Sequence, residues 1–212
     1  MAITDNNSFL TSSKVGISPR KSKSYPTTAP YASLEWEKDE AVCALEEDET
    51  AMALVVVGER PSEGPSILSI VQLFDPIKRA WSSLPGLSTA RCGCSVASIE
   101  KKLYVFGGLS ATNERLDTCE SYDMDQQRWD TLPIMPSSHR YCASVAFPLH
   151  GDVVVLGGRD QAGQELASVD AYDTNTKEWH TLSAMSSPRF GCGAARIASS
   201  KMIVVGGFNG EA

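Results

Sequence analysis

Residues 91 to 136 read RCGCSVASIEKKLYVFGGLSATNERLDTCESYDMDQQRWDTLPIMP. An apolar run ends in Gly107-Gly108, a Tyr122-Asp123 pair follows, and Trp129, Leu132 and Met135 close the series. The same landmarks return as Gly157-Gly158, Tyr172-Asp173, Trp179, Leu182 and Met185, and a third doublet, Gly206-Gly207, stands near the end of the 212 residues. The doublets lie 50 and 49 residues apart, and the tyrosine precedes the tryptophan by seven residues each time. Self-similarity at a fixed period of this length marks an array of supersecondary units, each burying its apolar face only against its neighbours.

Within the unit, Cys94 to Ile99 and Lys102 to Phe106 are short runs rich in β-branched and aromatic residues around Glu100-Lys101, which predicts a hairpin. Leu116 to Tyr122 and Arg128 to Leu132 predict two further strands around Asp123-Met124-Asp125. Four antiparallel strands per repeat of about 50 residues form the blade of a β-propeller, with strands a to d in chain order. Upstream lies a worn copy: Leu54 to Gly58 as strand b, Ile67 to Phe74 as strand c, then Trp81 and Leu84, with Glu59 in place of the second glycine and Ala41 where the other units have arginine.

The doublets, the aromatic pairs and the period together resemble the kelch repeat. The resemblance implies an all-β, kelch-type propeller of which about three and a half blades are present, an incomplete ring, with units at 41–90, 91–139, 140–188 and 189–212 inside a propeller segment of residues 34–212. The last unit stops just after its b strand, so the expectation is a truncated propeller; a four-bladed ring closed by strands from Tyr25 to Trp36 is the alternative.

Residues 1–33 are rich in Ser, Thr, Pro and Lys without strand or helix periodicity, which predicts a disordered tail whose Ser18 to Ser24 segment could serve as a phosphorylation site or basic address. Residues 35–49 then carry eight acids against Lys38. With 42% apolar residues the chain can build a core, and its net charge of -7 argues against duplex nucleic acid as a partner. No apolar run of membrane-spanning length and no secretory leader are present, so a cytoplasmic location and no membrane partner are expected. Six cysteines, four of them (Cys43, Cys94, Cys142, Cys192) near the beginnings of a strands, are read as small apolar residues of crowded inner strands and as reduced thiols, since no CxxC spacing accompanies them.

Each recurring residue has a structural reading. Gly107, Gly108, Gly157, Gly158, Gly206 and Gly207 end b strands where the backbone needs positive φ or close approach. Tyr122 with Trp129, and Tyr172 with Trp179, lie on adjacent strands and fill the space between blades. Arg91, Arg140 and Arg189 open the a strands at intervals of 49 residues, and antiparallel pairing places each beside its own glycine doublet.

No nucleophile elbow, zinc-protease motif or phosphate loop occurs, so no catalytic, metal or cofactor site is assigned. The kelch resemblance implies instead a non-enzymatic protein-interaction module, an adaptor or scaffold. The b–c loops and d–a links share one end of the blades, and that end carries the candidate contact residues Asn113, Arg115, Arg159 and Asp160 with one or more of Arg91, Arg140 and Arg189. Two alternatives stand beside it: a kelch-like enzyme or sugar-binding propeller whose site lies in further blades, and a ubiquitin-ligase substrate adaptor whose recruitment domain is absent. Self-association through an unpaired blade edge is also expected.

Overall fold

The computed structural model describes residues 41–48, 51–59 and 67–210. The tail expected over residues 1–33, the closing strands considered at 25–36, the acids at 35–40 and 49, and the Cys43 side chain lie outside the described parts. All regular elements described are strands, β1 to β16.

The first blade is β1 (Ala41–Asp48), β2 (Ala51–Glu59), β3 (Leu68–Asp75) and β4 (Ala80–Leu84), hydrogen-bonded in that order. The second is β6 (Ser95–Ile99), β7 (Lys102–Phe106), β9 (Cys119–Asp123) and β10 (Arg128–Leu132), with β5 (Arg91–Cys92) and β8 (Leu109–Ser110) forming a small ribbon beside it. The third is β11 (Ala143–Phe147), β12 (Asp152–Leu156), β13 (Val169–Asp173) and β14 (Glu178–Thr181). A hairpin of β15 (Phe190–Ala198) and β16 (Lys201–Phe208) supplies the a and b strands of the next unit. Three antiparallel four-stranded blades and a half thus form an arc of a β-propeller.

The inner blades are legible as near-continuous apolar runs because both faces of each sheet are covered. On β7, Leu103 and Val105 face the first blade, packing with Val57, Val71 and Tyr122, while Tyr104 and Phe106 face the third, packing with Val153, Val155 and Tyr172. On β12 the alternation repeats: Val153 and Val155 turn back to the second blade, Val154 and Leu156 forward to Cys192 and Ala194. Strand period two thereby becomes a division of labour between two joints.

Turns follow local chemistry. The hairpin at Glu100-Lys101 is two residues long, with Ile99 opposite Lys102 and Glu100 at φ 52°. Each c–d turn is organised by one aspartate: Asp75 Oδ1 accepts from the N–H groups of Ile77 and Lys78, Asp123 Oδ1 from Asp125 and Gln126, and Asp173 Oδ1 from Asn175 and Thr176.

Several strand starts differ from the sequence expectation: β2 begins at Ala51 instead of Leu54, β3 at Leu68 instead of Ile67 and β6 at Ser95 instead of Cys94. The c strand of the second blade begins at Cys119 instead of Leu116, because residues 116–118 are engaged by the loops around them. Leu116 N–H donates to Gly108 O, while the carbonyls of Leu116 and Asp117 accept from His139 and Met135 of the link to the next blade.

Candidate binding face

The blades are joined at the ends of the b strands. Gly107 and Gly108 sit at φ 62° and 102°, and Gly157 and Gly158 at 62° and 98°. A Cβ on Gly107 would lie 2.3 Å from His139 O, and one on Gly157 would lie 2.5 Å from Arg189 O. That closeness lets Gly108 N–H donate to His139 O at 2.7 Å and Gly158 N–H to Arg189 O at 2.8 Å, so each doublet grips the first residue of the next blade.

That residue's side chain turns back into its own blade. Arg91, fully buried, donates from Nη1 to the carbonyls of Gly107 (2.8 Å) and Thr118 (3.0 Å) and from Nη2 to Glu120 Oε1 (2.7 Å). Glu120 Oε2 in turn accepts from Ser88 N–H in the incoming link. Arg189 makes the corresponding bond to Gly206 O at 2.9 Å. In the third blade the position belongs to His139: its Nδ1 contacts Gly157 O at 2.8 Å, and it lies three residues before Cys142, as Arg91 does before Cys94 and Arg189 before Cys192. Arg140 lies beside its own doublet through its backbone, its carbonyl 2.8 Å from where a Cβ on Gly158 would be, but it is one residue past the buried position and the side chain that reaches the Gly157 carbonyl is that of His139. Arg91 is corrected as a candidate for partner contact, since a side chain with 0% exposure presents nothing to a partner.

Arg140 instead lies on the surface end of the blade. Its backbone pairs with Arg159, its guanidinium carbon lies 4.2 Å over the Tyr141 ring centroid, and its Nη2 donates to the Tyr141 hydroxyl at 2.5 Å. Tyr141 has φ 58°, where the equivalent residues are Gly93 (59°) and Gly191 (62°). Its N–H donates to Gly93 O, and its own carbonyl accepts from Gly191 N–H, so three blades are hydrogen-bonded in series at the start of the inner strands.

Arg159 reaches toward the next unit, its guanidinium carbon 3.8 Å over Phe190, which contacts both Tyr141 and Phe208. Its Nη2 donates to Glu165 Oε1 at 2.7 Å, and that guanidinium holds the Glu165 carboxyl below the usual carboxylate range. Arg115 braces one b–c loop against the following one: its backbone N–H donates to Gln161 Oε1 (2.9 Å) and its Nη1 to Gln161 O (2.7 Å). Asp160 Oδ1 accepts from Gln164 N–H across its own loop, and Asn113 is exposed at φ 64°. Arg115, Arg140, Arg159 and Asp160 thus belong to connected loops at one end of the blades, with Arg189 half-buried at their edge.

Tyr141, Phe190, Phe208, Gln161 and His139 were not singled out by sequence reasoning. Aligning the units on their a-strand cysteines instead of their arginines would have found His139 and, next to it, Tyr141 at a glycine position.

The buried thiols are chemically quiet. Burial pushes Cys94 and Cys119 up to about 12 and Cys142 up to about 11, leaving them protonated at neutral pH. Cys142 Sγ–H donates to Ser95 Oγ, and the Cys94 and Cys142 Cβ atoms sit against Gly108 and Gly158 of their own doublets. Among the described residues no three His, Cys, Asp or Glu side chains converge as a metal site, and no helix is long and apolar enough to cross a membrane.

A family model described as the KLHDC2/KLHL20/DRC7 Kelch-repeats domain matches residues 43–212. The chain is 32% identical over 92 residues to "F-box/kelch-repeat protein At1g16250" of Arabidopsis thaliana, a match covering 43% of this chain and 24% of that protein. It is 30% identical over 89 residues to "Kelch-like protein 25" of Xenopus tropicalis (42% and 15%), and 32% identical over 76 residues to "Kelch-like protein 21" of Rattus norvegicus (36% and 13%). The matches therefore span a quarter or less of these relatives' length. The solved "Structure of YjhT" superposes with a TM-score of 0.59 at 18% identity, covering 73% of this chain and 57% of that one, which is a likeness of fold.

Proposed function

The chain belongs to the kelch-repeat family, and from that premise we propose that it is a non-enzymatic protein-interaction module, an adaptor or scaffold, that meets its partner with the b–c loops and d–a links. The observation that supports this most is the bracing of consecutive loops: Arg115 ties residues 109–115 to the loop at 159–165, and Arg159 ties that loop to Phe190 of the next unit. Loops held by a repetitive rigid scaffold present a fixed pattern of side chains, which lowers the ordering cost of association. Asn113, Arg115, Arg140, Arg159 and Asp160 are the contact residues in this reading, with Arg189 at the margin. Guanidiniums that already rest on aromatic rings suit carboxylates of a partner segment. The described cysteines are buried, and Cys94, Cys119, Cys142 and Cys192 are reduced thiols, which fits work in the cytoplasm.

The test compares binding by wild type, by the Arg115→Ala/Arg159→Ala double variant, and by a control altered at the opposite end, Lys101→Ala/Asp125→Ala. Purified protein is used to isolate a binding partner, and affinities for that partner are then measured. Circular dichroism establishes that each variant is folded. Loss of affinity confined to the loop variant supports the assignment; equal affinity in all three, or loss confined to the opposite-end variant, overturns it.

A further inference from the structure

The third blade holds a histidine in a pocket built for an arginine. In the second blade the pocket consists of Gly107 O, Thr118 O and Oγ1, and Glu120, all of which receive hydrogen bonds from Arg91. Its counterparts in the third are Gly157 O, Ser168 and Asp170, matched through the register that sets Cys119 and Val169 at the same strand position. His139 is 1% exposed and too short to span this pocket. It reaches Gly157 O, but Ser168 Oγ, the counterpart of Thr118 Oγ1, is buried with no hydrogen-bond partner.

The contacts fix the tautomer. Gly157 O can only accept, so Nδ1 carries a proton, and in the neutral ring Nε2 accepts from the Ser137 hydroxyl, 2.9 Å away. Asp170 Oδ2 lies 4.0 Å from Nε2, while its Oδ1 accepts from Thr181 Oγ1 at 2.7 Å. The other groups that His139 meets are uncharged: Gly157 O and the Ser137 hydroxyl at the ring, and the Gly108 and Leu116 backbone of the blade before at its main chain. The neighbouring Arg140 guanidinium is over Tyr141. Asp170 is the charged group placed within ion-pair reach of the ring among the described residues.

We infer that the joint between the second and third blades is proton-sensitive, with His139 as its sensor: a proton added at Nε2 displaces the Ser137 hydroxyl as donor and leaves a buried imidazolium whose counter-charge, Asp170, stands at the limit of reach. The same residue's backbone accepts from Gly108 and donates to Leu116, at the two ends of the loop at 109–115, while its ring holds Gly157 O at the base of the loop at 159–165. Burial lowers the His139 pKa from its ordinary 6.5, against smaller opposing effects of Gly157 O and Asp170. The folded protein therefore binds this proton less readily than the unfolded chain, and stability falls as pH drops below about 6.5 toward the lowered folded value. In the second and fourth units, which have Arg91 and Arg189 at this position, no such loss arises. This inference goes beyond the interaction reading and does not depend on any partner.

The experiment follows the melting temperature of the full chain from pH 7.5 to 5.0 for wild type and His139→Arg. The arginine satisfies Ser168 and pairs with Asp170, so the variant melts higher than wild type, and the gap widens by several degrees as pH falls through 6. Parallel profiles with a constant gap overturn the inference. Should the variant fail to fold, the ring is followed by NMR titration in wild type, its signal assigned by its absence from His139→Gln. A midpoint clearly below 6.5 supports the inference, and one at or above that value overturns it.

Discussion

The indole N–H of Trp129 donates to the carbonyl oxygen of Pro85 at 2.8 Å, joining the outermost strand of one blade to the residue that follows the outermost strand of the blade before it. Trp179 repeats the bond to Pro133 at 3.1 Å. Each indole also leans on its partner tyrosine, Trp129 with centroids 5.1 Å from Tyr122 and Trp179 5.2 Å from Tyr172. The Tyr-Trp pair of the repeat is thus a rivet between blades: the ring fills the joint and the N–H fixes its depth.

Replacing Trp129 or Trp179 by Phe removes the hydrogen bond while keeping most of the apolar volume, so each variant loses about 1 kcal/mol of stability, more if the ring shifts. Trp81 pairs with Phe74 at 5.0 Å, but it is 41% exposed and has no described blade upstream to receive its N–H. Trp81→Phe therefore changes stability least of the three. Urea unfolding of the three variants checks the ranking, and an equal loss at all three positions contradicts it.

The Arg91–Glu120 pair, 2.7 Å apart with side-chain exposures of 0% and 3%, tests the joint from the inside. Removing one partner leaves a buried charge without its counterpart, so Arg91→Met and Glu120→Gln are each strongly destabilising, by about 3–5 kcal/mol for the arginine change. The double variant costs less than the sum of the singles, because the second change removes the charge stranded by the first. A double-mutant cycle in urea that proves additive would show that the two side chains act independently.

Much of this architecture was legible in the chain. Strands β7 and β10 have the limits that the sequence pattern predicts, and the turn aspartates and aromatic pairs fall where the period places them, because those signals are local and repeat. The c strand of the second blade was read three residues too early, since Leu116 looks like the start of a strand, whereas backbone pairing with another link decides its place. At the candidate face, the arginine period pointed to Arg140, but the physical constraint is the distance to the cysteine that packs on the doublet, and that distance selects His139. Stacking of Arg159 on Phe190 and the bond from Arg115 to Gln161 join residues 31 and 46 positions apart, and no local pattern announces either.

Two glycines with the same backbone angle separate strain from space. Gly107 and Gly191 both have φ 62°, but a Cβ on Gly107 would meet His139 O at 2.3 Å, whereas one on Gly191 meets nothing within 4 Å. Gly191→Ala carries only the left-handed conformational cost, about 1–2 kcal/mol. Gly107→Ala carries that cost and also breaks the grip on the next blade, so it should be the more damaging change by a wide margin. Thermal unfolding of the two variants decides it, and equal melting temperatures would mean that the joint yields to a methyl group without penalty.

The buried thiols give the protein an alkaline limit. Cys94 and Cys119 are pushed up to about 12 and Cys142 to about 11 from an ordinary 9.0, mainly because burial penalises the thiolate. An acid whose pKa is raised by folding stays protonated in the folded state while the unfolded chain begins to release its proton. Its contribution to stability is therefore intact below about 9 and is lost progressively as pH rises from there toward the folded values. Unfolding midpoints in urea should accordingly fall above pH 9, and replacing Cys142 with Ala should flatten part of that fall even though the smaller side chain lowers stability at pH 7. The same burial predicts that a thiol reagent at pH 8 labels these three cysteines slowly in the folded protein and rapidly in urea. Rapid stoichiometric labelling of the native chain would show that the blades open on the timescale of the reagent, and the quiet-thiol assignment would then fail.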